Sequence, residues 1–108
     1  MVDESAEFDV IEGVVVASLP APGSTDRVVL LDPAKRPDGA LPWHPFPNVL
    51  RVSASGEVRW RSELVPGETT AKCWVSIEWA HALTARTFSY ECDLDPSTGR
   101  IVETRFTK

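Results

Sequence analysis

His44 and His81, Cys73 and Cys92, and the neighbouring carboxylates Asp93 and Asp95 are the side chains through which this sequence could do nucleophilic or acid–base chemistry. A cysteine nucleophile needs a reachable thiol and a histidine close enough to take its proton. Both cysteines instead fall on apolar stripes, Cys73 with Val75, Ile77 and Trp79, and Cys92 with Phe88, Tyr90 and Leu94. They read as inert core thiols. Their separation of 19 residues contains no CxxC pair and therefore carries no zinc signature. Asp95 precedes Pro96 at a turn, where a carboxylate caps local backbone donors. The sequence holds no phosphate-cradling glycine loop, no HExxH and no GxSxG. No catalytic residue, metal ligand or cofactor is assigned, and the inventory weighs against an enzyme.

The surface offers more. Arg51, Arg59 and Arg61 lie on one short segment, and alternation projects them from the polar face of a hairpin. Like charges opposed across strands repel, so these arginines need anionic neighbours. Either an anionic partner supplies them, or Glu78, Glu91 and Asp93 of the next hairpin interleave as a surface ladder. Four tryptophans are present. Trp60 and Trp79 fall on apolar faces and read as core. Trp74 alternates away from its apolar neighbours, so it either packs beneath a proline-rich loop or stands exposed as an interface anchor. Trp43 and His44 lie in "LPWHPFPN", where prolines preset the backbone and lower the entropy cost of presenting them; the alternative is a lid on the core.

A chain of 108 residues, 43% hydrophobic and 25% charged, specifies one small globular domain. The net charge of -5 is concentrated in Asp3, Glu4, Glu7, Asp9 and Glu12, and the remaining acids equal the bases in number. Residues 1–7 read as an acidic solvated tail. Nucleic acid is not the expected partner of such a balance. The absence of a long apolar run and of a basic, then apolar, opening points away from a membrane and toward the cytoplasm. Reduced thiols follow from that address.

The elements that position these residues are strands. Nine prolines and six glycines cut the chain into short segments that alternate apolar and polar residues. Strands are expected over Phe8 to Ser18 and Arg27 to Asp32, with residues 33–47 a stiffened, proline-rich loop. "NVLRVS" and "EVRWRS" flank the turn "ASG", a hairpin that sets Val52 against Val58, Leu50 against Trp60 and Arg51 against Arg59. Residues 71–85 read as strand in preference to helix. A tight loop at Ala82 and Leu83 would pair Trp79 with Arg86, Ile77 with Phe88, Val75 with Tyr90 and Cys73 with Cys92. A closing strand through "RIVETRF", carrying one bulged residue, would set Cys92 against Val102 and Phe88 against Phe106.

"VLRVSASGEVRWR" and "ECDLDPSTGRIVETR" share a plan of strand, short turn, glycine and strand, with Gly56 and Gly99 separated by 43 residues, near the length of one propeller blade. Residues 48–106 resemble the repeat hairpins of quinoprotein-type (PQQ-like) β-propellers. In those repeats a tryptophan after the glycine turn docks one blade on the next. Trp60 stands at that position and Glu103 replaces it in the second unit. The resemblance implies blade-like hairpins as building material, in one small sheet or sandwich or in an association of chains; it carries over no quinone cofactor.

The expected fold is thus all-β, a single domain of about seven strands in consecutive antiparallel hairpins. The leading functional expectation is a non-enzymatic module that binds another protein, an inhibitor or immunity-type partner among the forms it could take, through Trp43, His44, Trp74, Arg51, Arg59 and Arg61. The alternatives are a ligand-binding protein or small enzyme with a pocket under the proline-rich loop, and a self-associating structural protein.

Overall fold

The computed structural model describes residues 13–35, 45–65 and 73–107. Eight strands run in order: β1 (Val15–Pro20), β2 (Arg27–Leu31), β3 (Val49–Val52), β4 (Val58–Arg61), β5 (Ser76–Trp79), β6 (Leu83–Arg86), β7 (Tyr90–Leu94) and β8 (Ile101–Phe106). They form two antiparallel four-stranded meanders, β1-β2-β3-β4 and β5-β6-β7-β8. The acidic tail, Trp43 and His44 lie outside the described residues.

In the first sheet alternation works on both faces. Val28, Leu30, Val49 and Trp60 face the second sheet and join Trp74, Leu83, Ala85, Cys92 and Leu94 in one buried core. Val29, Leu31, Leu50 and Val52 face the other way and pack with Phe46 and Cys73. The near-continuous apolar run of β2 follows from this double burial.

The β3–β4 hairpin differs from expectation by one residue. Val52 does oppose Val58, but a bulge then sets Arg51 against Trp60 and Leu50 against Arg61. Arg51 therefore projects on the face of Trp60, toward the second sheet, instead of opposing Arg59. The bulge absorbs Arg59 beside the turn, where Gly56 has φ of 86°.

The second sheet departs further. No helix forms over residues 73–85; β5 pairs with β6 as Ser76 with Arg86, Ile77 with Ala85 and Trp79 with Leu83. The segment read as one strand from 84 to 94 is two, because the chain turns at Thr87, Phe88 and Ser89. Thr87 Oγ1 accepts the amides of Ser89 and Tyr90 at 3.2 and 3.0 Å, and Thr87 N–H donates to Tyr90 O at 2.8 Å. A threonine hydroxyl makes this turn without glycine or asparagine. The inserted strand β6 separates β5 from β7, so Cys73 does not oppose Cys92. Cys92 pairs with Ala85 and Thr104, while Cys73 belongs to the other apolar cluster, and the two are not joined. Ile77, Trp79, Tyr90, Cys92 and Leu94 still share the inward face, as their alternation requires. At β8 the bulge runs opposite to the expected direction. Leu94 opposes Ile101, Cys92 opposes Thr104 and Tyr90 opposes Phe106, with Val102 the extra residue.

The sheets are joined by a few directed bonds. Asn48, fully buried, donates from Nδ2 to Leu31 O and Trp74 O at 2.8 Å each and accepts Trp74 N–H on Oδ1 at 2.7 Å. Trp74 is also fully buried; its indole N–H donates to Ser62 Oγ at 2.8 Å and approaches Glu63 O at 3.2 Å. Trp60 Nε1 donates to Pro96 O at 2.9 Å, in the β7–β8 turn, and Trp79 Nε1 to Pro20 O at 2.7 Å. The turn itself is built by Asp95, whose Oδ1 accepts Ser97 N–H at 2.8 Å and whose carbonyl accepts Gly99 N–H at 2.7 Å.

Asn48→Ala leaves one buried donor and two carbonyls short of partners, each costing about 1–3 kcal/mol. The expected loss is about 3 kcal/mol or more, a fall in Tm of roughly 12 °C or more by circular dichroism. Gly99 and Gly23 share a φ of 76°, but a Cβ on Gly99 falls 2.7 Å from Trp60 Cδ2 while one on Gly23 meets nothing within 4 Å. Gly23→Ala is expected to cost about 1 kcal/mol of backbone strain, and Gly99→Ala about 1–3 kcal/mol more, read as the gap between their denaturation midpoints.

Candidate functional site

Of the three arginines singled out in the sequence, the fold consumes Arg51. Asp26 ends the β1–β2 turn, its amide donating to Ser24 Oγ at 3.0 Å. Its carboxylate accepts Arg51 Nε at 2.8 Å, with Arg59 Nε 3.4 Å away. Hydrogen bonding from Arg51, reinforced by the charge of Arg59, holds the Asp26 carboxyl below the usual range. Arg51 also donates through Nη1 to Pro96 O at 2.7 Å, beside Trp60. It is a tie between the sheets. The anion that the arginines require is thus Asp26, and Glu78, Glu91 and Asp93 do not interleave with them. Arg59 and Arg61 remain exposed, and Arg61 meets no carboxylate among the described residues. Trp74 is buried and presents no ring to a partner, because the bonds from Asn48 and Ser62 draw it into the core.

The outer face of the second sheet carries its own charge lattice. Arg86 bridges Glu78 at 2.5 Å and Glu91 at 2.9 Å; Arg105 bridges Asp93 at 2.7 Å, Glu103 at 2.8 Å and Glu91 at 3.5 Å. His81, on the β5–β6 loop, places Nε2 2.9 Å from Asp93 Oδ2, and Thr84 Oγ1 lies 3.4 Å from Asp93 Oδ1. Asp93, mostly buried, is the centre of this lattice. Hydrogen bonds from Arg105, then from His81, hold its carboxyl far below the usual carboxylate range, and Arg105 is held protonated in return. The carboxylate orients the His81 imidazole, an arrangement that in other settings tunes a general base. Cys92 lies on the opposite face, its thiol pushed up by burial. Among the described residues no cluster of three or more His, Cys, Asp or Glu side chains is placed to hold a metal ion.

A surface that alternation did not single out lies along β8. Phe88, Val102 and Phe106 are 68%, 69% and 63% exposed, the largest values among the exposed large apolar side chains described; Val14 and Val16, beside and within β1, complete the set. Phe88 and Phe106 stand at the same end of the sheet, where Thr107 N–H donates to Ser89 O at 2.9 Å. Phe106 meets Tyr90 edge to face, ring centroids 5.4 Å apart. Phe88 escaped the sequence reading because it was placed within a strand; the threonine before it was the signal of the turn.

The sequence matches the family described as Domain of unknown function (DUF7957) over residues 24–106. The chain belongs to that family. The DUF7957 match starts in the β1–β2 turn and ends on Phe106, so it takes in β2 to β8, with Asn48, Trp74, Asp93 and the exposed β8 edge. No curated protein and no solved structure matches the chain.

Because the Asp93 carboxyl is depressed in the folded state, its contribution to stability is full above the unfolded value, near pH 4, and is lost as pH falls through the folded value. The urea midpoint should be level from about pH 7 to 5 and fall below about pH 4. Asp93→Asn should lower stability at neutral pH and flatten that acid-side fall, checked by urea titrations of both proteins across the range.

Proposed function

We propose that the protein is a non-enzymatic binding module that engages another protein through β8 and the phenylalanines at its end. The carrying observation is the gathering of Phe88, Val102 and Phe106, each more than three-fifths exposed, on and beside one edge strand. Exposed apolar side chains scattered singly need no explanation, but a group of aromatics along an unpaired edge is what strand-adding partners use: backbone bonds supply affinity, and alternate side chains supply specificity. Tyr90 packs edge to face on the Phe106 ring, which favours one orientation of it and lowers the entropy cost of binding. The reactive groups fit this reading because they serve the fold: burial raises the Cys92 thiol, and Arg105 holds the Asp93 carboxylate. Relative to the surface inferred from the sequence, the binding face moves from Trp74 and Arg51 to β8.

The test is capture from native lysate by immobilised wild-type protein and by a Phe88→Ser/Phe106→Ser variant. Both positions are largely solvent-exposed, so the variant should melt within a few degrees of wild type. Partners recovered by wild type should be lost with the variant. Recovery of the same partners by both would overturn the reading.

A further inference from the structure

We propose that β8 pairs antiparallel with β8 of a second copy of this chain about a two-fold axis at Thr104, joining the two second sheets into one eight-stranded sheet. This deepens the reading of β8 as the docking strand by naming its partner.

The ladder dictates which groups are on offer. Thr107 N–H donates inward to Ser89 O, and Tyr90 opposes Phe106. Hydrogen-bonded and non-hydrogen-bonded pairs alternate in an antiparallel ladder, so Arg105 and Glu103 also turn their backbone groups toward β7. Thr104 and Phe106 turn theirs away. The start of the strand is closed, because Ile101 N–H donates to Glu63 Oε1 at 2.8 Å. The usable edge therefore begins after the bulge at Val102, at residues 103–106, where the outward amides of Thr104 and Phe106 have no partner among the described residues.

Side chains then select the register. A self-pairing that matches outward groups with outward groups can be centred on Glu103, Thr104 or Arg105. Centring on Glu103 sets two glutamates in direct opposition, and centring on Arg105 sets two arginines so; like charges directly opposite destabilise a sheet. Centring on Thr104 opposes Glu103 to Arg105 of the second copy, twice by symmetry. Those are non-hydrogen-bonded pairs, whose side chains lie closest. Glu103 is 61% exposed and its bond to Arg105 lies at the surface, so its carboxylate is free to share the second arginine. One patch meets itself, as a two-fold interface requires.

A single-strand contact is small, at the low end of the interface range and below about 1,200 Å² in total, so dissociation in the micromolar range is expected. Sedimentation equilibrium of the full chain from nanomolar to high micromolar concentration should show monomer passing to dimer. Amide exchange at Thr104 should slow as dimer forms, while the inward amides of Arg105 and Thr107 are slow throughout. Thr104→Pro removes an outward donor without touching the internal ladder, which edge strands tolerate, and should abolish the dimer. Glu103→Arg, at an exposed position, opposes two arginines and should weaken it roughly tenfold. A monomeric mass at every concentration would overturn the self-pairing, as would a dimer that both variants leave intact. If wild type stays monomeric while the Phe88/Phe106 variant still loses a captured partner, self-pairing falls and the docking reading stands.

Discussion

The two sheets are held in their relation by one buried amide. Asn48 offers two donors and an acceptor, and all are used, on Leu31 O, Trp74 O and Trp74 N–H. A polar group with no exposure is tolerable only when its bonds are made, and here they can be made in one arrangement. Apolar contact between the sheets is non-directional and would allow sliding. The amide removes that freedom by fixing the segment that enters β5 against the start of β3. The indoles extend the same constraint: each of the three described tryptophans sends its N–H across the joint, to Pro96, Ser62 or Pro20. Tryptophan suits this use because its ring fills the apolar core while its single donor demands a fixed acceptor.

The all-β class and strands β2 to β4 were legible because proline, glycine or asparagine bounds them, whereas β1, expected over Phe8 to Ser18, is Val15–Pro20. The second sheet was misread where its turn uses Thr87, a residue equally at home in a strand, so that two strands fused into one. The inward face nonetheless came out right for Ile77, Trp79, Tyr90, Cys92 and Leu94, since burial sets the alternation of each strand whatever its neighbour is. Pairing was beyond that signal. The bulges at Arg59 and Val102 each shift register by one, and neither is marked by a glycine within the strand. Trp74 was equally hidden: its burial comes from Asn48, 26 residues away, a contact that no local pattern encodes.

The sheets divide their work. The first is apolar on both faces and supplies the ties, so Arg51, which looked like surface chemistry, acts with Asp26 as a fastener between turns. The second is buried on one face only. Its outer face is a lattice in which two arginines and His81 serve four acids, and mostly buried Asp93 at the centre sets the geometry. Such a lattice covers that face with charge and leaves Phe106, at the end of β8, as an exposed apolar side chain of the sheet.

The meander order of both sheets has a kinetic meaning. Every strand pairs only with its neighbour in sequence, so most loops within a sheet are short, the 17-residue link between β2 and β3 being the long one, whereas the bonds between sheets span separations as long as 59 residues. Low separation within a unit favours rapid formation, and ordering distant segments is the slower step. Contacts within each half of the chain are thus low in chain-entropy cost, and the directional ones that unite the halves are few and distant in sequence.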